Sequence, residues 1–326
     1  MRLNFISKEL GMATNVTAIM PGFDQNFDVG RSVSEIYEPD RKFPVLWLLH
    51  GGSGDDADYL NWTNIARYAV EYDCAIICPA NYNAAYSDFP RGAKYYKYIT
   101  EELREFIFSR FPHLSDKRED NFIGGLSMGS GGAMKIAMDK CEQYSYALIM
   151  SGGIPPKGVM PSGHSAFRER IIAAGWPMPK QPADISRPDI EEIAKRNIEQ
   201  GKKVPTFILC CGESDAIAYT SHMNARKVLP EWGYETINFS LPGYNHEWDF
   251  WEICFRHVFA EWLPTKQKTK TEGTAAALLC RHALRDDLQF HRRHPAQQGR
   301  YKAAALRAHG GGCRQCGAEP GSSGRL

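Results

Sequence analysis

The stretch Asn121-Phe122-Ile123-Gly124-Gly125-Leu126-Ser127-Met128-Gly129-Ser130-Gly131-Gly132-Ala133 constrains this chain more than any other. It reads as an apolar strand, a turn too tight for ordinary side chains, and a helix that begins with small residues. Inside it lies Gly125-x-Ser127-x-Gly129, a strand-to-helix elbow pattern. A serine on so sharp a turn adopts a strained backbone, so the residues two before and two after it must lack bulk. The same turn aims a helix N-terminus and the Met128 N–H at the place where an oxyanion would develop. The pattern alone is common by chance. Its weight comes from the strand, turn and helix around it.

The rest of the chain supplies a matching rhythm. Leu3 to Gly11 and Asn15 to Met20 suggest a leading antiparallel pair, followed by a polar, turn-rich connection from Pro21 to Arg41. Val45 to His50, Cys74 to Pro79, Tyr146 to Ser151, Val204 to Gly212 and Glu235 to Leu241 are apolar runs of the kind shown by strands buried on both faces. Helical stretches are predicted between them, at Asn61 to Glu71, Tyr95 to Phe111, Tyr219 to Trp232 and Trp248 to Trp262. Alternation of this kind predicts an α/β fold with a mostly parallel central sheet and helices on both faces. Residues 154–203 break the rhythm with seven prolines and then a short helical stretch, Asp189 to Gln200. An excursion of that size predicts a small cap or lid insertion.

Charge divides the chain at Pro264. Residues 265–326 carry twelve Lys and Arg against four Asp and Glu, which leaves residues 1–264 at −7 within a total of +1. Nothing in the mildly acidic body suggests a nucleic-acid groove, and no apolar run is long enough for a membrane helix. Runs of Ala and Gly without a core period predict a disordered basic tail, and hence a catalytic domain of 1–264 and a tail of 265–326. Cys313-x-x-Cys316 with His294 and His309 nearby is one pair without a partner pair, so neither a metal nor any other cofactor is expected. Cysteines inside apparent core strands (Cys74, Cys78, Cys210, Cys211) suggest reduced thiols and a cytoplasmic location.

An activated serine needs a base, and the base needs an orienting carboxylate. Of the six histidines in the body, only His246 lies in a Gly/Asn-rich loop directly after the last predicted strand. Open α/β sheets bind ligands at the carboxyl ends of their strands. The preceding strand ends in Gly212-Glu213-Ser214-Asp215, which offers two acids. Asp215, further past the strand end, is preferred over Glu213. His50-Gly51-Gly52 follows the first long apolar strand, where a second oxyanion N–H, that of Gly52, would join Met128. His50 is expected to brace that loop rather than transfer protons.

His50-Gly51-Gly52-Ser53-Gly54, Trp62-Thr63-Asn64, Gly125-Leu126-Ser127-Met128-Gly129, Cys211-Gly212-Glu213-Ser214-Asp215 and His246-Glu247-Trp248-x-x-Trp251 together resemble the esterase D-type esterases, nearest their tributyrin esterase branch. The resemblance covers residues 1–264. It implies an α/β-hydrolase with a Ser127–His246–Asp215 triad, no metal, and short acyl esters as small-molecule substrates. Feruloyl or acetyl-sugar esters, transfer of the acyl group to an alcohol, and a non-catalytic binding role are the alternatives, and self-association is left open. Met160, Trp176, Met178 and Tyr86 are candidates for lining the acyl or alcohol pocket. Ser130 departs from the family pattern just after the elbow, and the tail has no counterpart in it.

Overall fold

The computed structural model describes residues 1–89, 92–157 and 189–268, all within the first of two units into which the chain divides, Met1–Lys270. Its sheet contains Arg2–Ser7 (β1), Met12–Ile19 (β2), Val45–Leu49 (β3), Ala75–Pro79 (β4), Asn121–Leu126 (β5), Tyr146–Met150 (β6), Thr206–Gly212 (β7) and Thr236–Leu241 (β8). The spatial order is β1-β2-β4-β3-β5-β6-β7-β8. Pairing is antiparallel at β1–β2 and β2–β4, and parallel everywhere else. The fold is an α/β-hydrolase fold. Every expected strand is present.

Alternation along β3 shows why the run is apolar throughout. Val45, Trp47 and Leu49 belong to one core and Leu46 and Leu48 to the other, and all five are fully buried. The first core receives Leu103–Arg110 (α5) through Leu103 and Ile107, and Met128–Asp139 (α6) through Met134, Ile136 and Met138. The second receives Ile65–Glu71 (α3) and Trp248–His257 (α9), the latter through Phe250, Trp251, Cys254 and Phe255. Each large apolar side chain buried this way contributes about 2–3 kcal/mol. No helix among the described residues is long and apolar enough to cross a membrane.

Two helices depart from their sequence outlines for local reasons. The stretch predicted at Asn61 to Glu71 is divided into Asp58–Trp62 (α2) and α3. Thr63 ends α2 by donating its hydroxyl to Tyr59 O, and Thr63 Oγ1 in turn accepts the Ile65 N–H that opens α3. The long helix from Tyr95 runs as Tyr95–Lys97 (α4) and α5 with a wide π-type turn, Tyr98–Glu102, between them. Its Glu102 accepts hydrogen bonds from Ser7 Oγ, Lys8 N and Glu9 N, tying the helix to the β1–β2 turn.

The excursion after β6 is described only at its ends. Ile190–Glu199 (α7) is capped by Asp189, whose carboxylate accepts from the Glu191 and Glu192 amides. It packs on α6, where Asn197 Nδ2 donates to Met138 O at 2.7 Å. This part of the predicted cap therefore joins the helical layer of the body. Residues 158–188 lie outside the described residues, as does the tail beyond Lys268.

The described residues continue past Pro264 to Lys268. Lys268 N donates to Glu71 O, while its buried ammonium donates to Asp28 Oδ2 and Gly22 O, both at 2.7 Å. Asp28 is almost wholly buried and also holds Arg31 at 2.8 Å. Removing the ammonium strips a charge-assisted bond from a buried carboxylate, worth about 2 kcal/mol. Lys268→Met in the full-length chain is therefore expected to lower Tm by roughly 5 °C. An unchanged Tm would show that this clasp adds no net stability.

Candidate active site

Ser127 ends β5 at φ 52°, ψ −116°, a left-handed conformation that no ordinary strand or helix residue adopts. Bonds on both sides hold it there. Its N–H donates to Met150 O at 3.0 Å, and its carbonyl accepts from Ser130 Oγ at 2.6 Å and Ser130 N at 3.1 Å. Ser130 thus ties the elbow to its own helix. A Cβ on Gly129 would fall 1.9 Å from Leu49 O, so only glycine lets the elbow sit this close to β3. Met128 is the first residue of α6, where geometry leaves the backbone N–H without a helical acceptor.

The loop after β3 lies against this elbow. A Cβ on Gly51 would stand 2.5 Å from Leu126 Cδ1 and 3.6 Å from Ser127 Cβ. Gly52 follows, exposed, and neither its amide nor that of Met128 meets an acceptor among the described residues. The two strands that carry these donors are joined by Tyr59, whose OH donates to Leu49 O at 2.8 Å and accepts from Leu126 N at 3.1 Å. Burial pushes the Tyr59 phenol well above its ordinary pKa, so it stays protonated and able to donate.

His50 braces this loop, as its sequence setting suggested. Its Nδ1 lies 2.7 Å from Gly51 O, a carbonyl that can only accept, and its Nε2 lies 2.9 Å from the Asn81 N–H, which can only donate. The ring is therefore the neutral Nδ1–H tautomer. Burial lowers its pKa in agreement with that assignment.

Asp215 and His246 meet at the end of β7 and in the loop after β8, with His246 Nδ1 at 2.9 Å from Asp215 Oδ2. The carboxylate can only accept, so Nδ1 carries the proton and Nε2 is left for a partner. Asp215 Oδ1 accepts from the Ile217 and Ala218 amides, just ahead of Tyr219–Glu231 (α8). Burial raises its pKa, but the His246 ring, Ser151 and the Ala218 N–H outweigh that and hold it below the ordinary carboxylate value. Glu213, two residues earlier, is exposed.

Ser151 was not singled out by sequence reasoning. It ends β6 at φ 47°, nearly buried, and its hydroxyl accepts from Trp251 Nε1 at 2.9 Å and helps hold the Asp215 carboxylate below its ordinary pKa. The Trp251 ring in turn stands edge-on to the His246 imidazole, with centroids 5.2 Å apart. The only sequence signal was a strand running into Gly152-Gly153. His222 is fully buried on α8 with Nε2 3.1 Å from Ser240 Oγ. Burial, with a contribution from Arg226, pushes it down to about 4, so it stays neutral.

Of the proposed pocket-lining residues, Met160, Trp176 and Met178 lie outside the described residues. Tyr86 is fully buried, and its OH donates to His50 O at 2.9 Å. It sits beneath the loop rather than facing solvent. A groove of about 300 Å³ lined by Met20, Tyr37, Phe43, Phe111 and His113 opens at the other end of β3, away from Ser127.

Comparison with known proteins supports this chemistry. Residues 28–183 match the esterase family model, described as "Putative esterase". An acetyl esterase from Caldicellulosiruptor saccharolyticus is 27% identical over 281 residues, covering 81% of this chain and 97% of that enzyme. The Staphylococcus aureus fluorophosphonate-binding serine hydrolase FphF superposes with a TM-score of 0.64 at 26% identity, over 81% of this chain and 97% of that one. The S-formylglutathione hydrolase FrmB of the same organism gives the same TM-score and identity over 81% and 98%. Fold and relatives together define a serine hydrolase that acts on carboxylic esters.

Proposed function

We propose that the protein hydrolyses short-chain acyl esters through an acyl-enzyme on Ser127, with His246 as general base and Asp215 as its orienting acid. The observation that carries this reading is the 2.9 Å His246–Asp215 bond, in a neighbouring loop of the same sheet end as a serine held at φ 52°, ψ −116°. His246 Nε2 takes the Ser127 proton as the hydroxyl attacks the ester carbonyl. Asp215 keeps Nδ1 protonated and stabilises the imidazolium that forms. The Met128 and Gly52 amides receive the oxyanion, each worth on the order of 100- to 1000-fold in rate. The leaving alcohol takes the proton back, and water activated by the same histidine releases the acid.

A short acyl group fits the acetyl esterase relative and the resemblance to tributyrin esterases. No group beyond these side chains and amides is needed for the steps above. Cytoplasmic residence is part of the proposal, supported by six buried free thiols among the described residues.

The test is a series of p-nitrophenyl esters of increasing chain length, run with and without a competing alcohol. We expect kcat/KM to be highest for acetyl and butyryl esters and to fall at least tenfold by octanoyl, with free acid as product. Preference for long chains would overturn the substrate assignment. A new ester as the main product would make the enzyme an acyltransferase.

A further inference from the structure

Four of the five residues from Tyr82 to Tyr86, none of them glycine, have left-handed backbones: Tyr82 (φ 47°), Asn83 (φ 62°), Ala85 (φ 50°) and Tyr86 (φ 52°). Such conformations are costly for L-residues, and a run of them persists only where surrounding contacts over-determine it. Here the contacts converge on one short stretch, the loop from His50 to Ser53. Asn83, almost fully buried, accepts the Ser53 N–H at 2.6 Å. Tyr86 OH donates to His50 O at 2.9 Å, and Asn81 N–H donates to His50 Nε2 at 2.9 Å. The buried Lys135 of α6 secures the far side, donating to Tyr86 O at 3.0 Å and Ser87 Oγ at 3.1 Å. These bonds grip the residues on both sides of Gly52 and leave the Gly52 N–H itself without a partner among the described residues.

We propose that the strained loop Asn81–Ser87 is a clamp that sets the direction of the Gly52 N–H, with Asn83 and Tyr86 as its positioning residues. The proposal rests on Gly52 acting as an oxyanion donor. A donor works only if it is already aimed at the charge that develops, and an amide on a glycine loop has no orientation of its own to supply. Asn83 suits the place because it tolerates a left-handed backbone and offers a carbonyl oxygen. Lys135 links the clamp to the helix that carries Met128, so both donors are referenced to one rigid element.

The experiment compares Asn83→Gly, Asn83→Asp and Tyr86→Phe with the wild type. Asn83→Gly removes the acceptor without adding backbone strain, Asn83→Asp keeps an acceptor oxygen, and Tyr86→Phe deletes a single oxygen. Each is assayed for kcat and KM on p-nitrophenyl acetate, for Tm, and for inhibition by a short alkyl trifluoromethyl ketone, which forms a tetrahedral oxyanion on the serine. We expect Asn83→Gly and Tyr86→Phe to lower kcat about 10- to 100-fold with KM within about twofold. Ketone affinity should weaken by the same factor, and Asn83→Asp should recover most of the loss. If kcat and ketone affinity are unchanged in both Asn83→Gly and Tyr86→Phe, or if KM and Tm alone move, the clamp is merely structural and the proposal fails. Should Asn83→Gly not fold, Tyr86→Phe decides alone. Failure of the ketone to inhibit the wild type would instead count against the serine mechanism, and so is distinguishable.

Discussion

Ser127→Ala should abolish ester turnover, lowering kcat by about 10⁶-fold, while the protein stays folded. The substitution deletes one oxygen. That oxygen makes no hydrogen bond among the described residues, because Ser127 is held by its backbone through Met150 O, Ser130 N and Ser130 Oγ. Alanine at φ 52° carries the same backbone cost as serine, so Tm should move little. No second nucleophile stands ready in the elbow, since Ser130 Oγ is buried and committed to the Ser127 carbonyl. The oxyanion amides remain, so a residue of rate above the uncatalysed reaction is expected. The check is p-nitrophenyl acetate hydrolysis beside a melting curve. Wild-type turnover in a folded variant would sink the mechanism.

Asp215→Asn is expected to cost about 10⁴-fold in kcat, and Glu213→Gln less than about threefold, in line with ordinary surface changes. The reason lies in the direction of one proton. The Asp215 carboxylate accepts from His246 Nδ1, which leaves Nε2 unprotonated and able to take the serine proton. An asparagine amide that turns its NH₂ to the ring reverses the tautomer and puts the proton on Nε2. Its carbonyl oxygen can still accept from the Ile217 and Ala218 amides, so the start of α8 should survive. Glu213 is solvent-facing, and only its backbone is engaged, through its N–H to Leu241 O. Steady-state kinetics on both variants decide the matter. A larger loss for Glu213→Gln would make Glu213 the orienting acid.

The sequence made the frame of the site readable because each part of it is a local pattern. Apolar runs at Val45, Ala75, Asn121, Tyr146 and Thr206 could only be strands buried on both faces, and the glycines around Ser127 could only serve a tight turn. His246 stood out because its loop is short and follows the last strand. The acid was ambiguous between two residues that are separated only by which one the turn before α8 buries, and no local pattern encodes that. Ser151 and Asn83 were invisible, and Tyr86 was read as pocket lining, for a different reason. Their partners lie far off in sequence, Trp251 for Ser151, Ser53 for Asn83 and His50 for Tyr86, and such pairs exist only once the sheet has assembled. The wide turn at Tyr98–Glu102 escaped notice because one extra residue hardly disturbs the spacing of Ile99, Leu103 and Ile107.

Six cysteines of the body, Cys74, Cys78, Cys141, Cys210, Cys211 and Cys254, are free and buried. Burial pushes the thiols of Cys74, Cys78, Cys211 and Cys254 far above their ordinary range, so at neutral pH none offers a thiolate while the sheet is closed. Their alkylation must wait for the strands and helices that cover them to part. The molecule thus carries its own stopwatch for opening. Cys74 and Cys78 time the β4 side, Cys210, Cys211 and Cys254 time the side that holds Asp215, and a mass spectrum of the labelled protein would read both without any introduced probe.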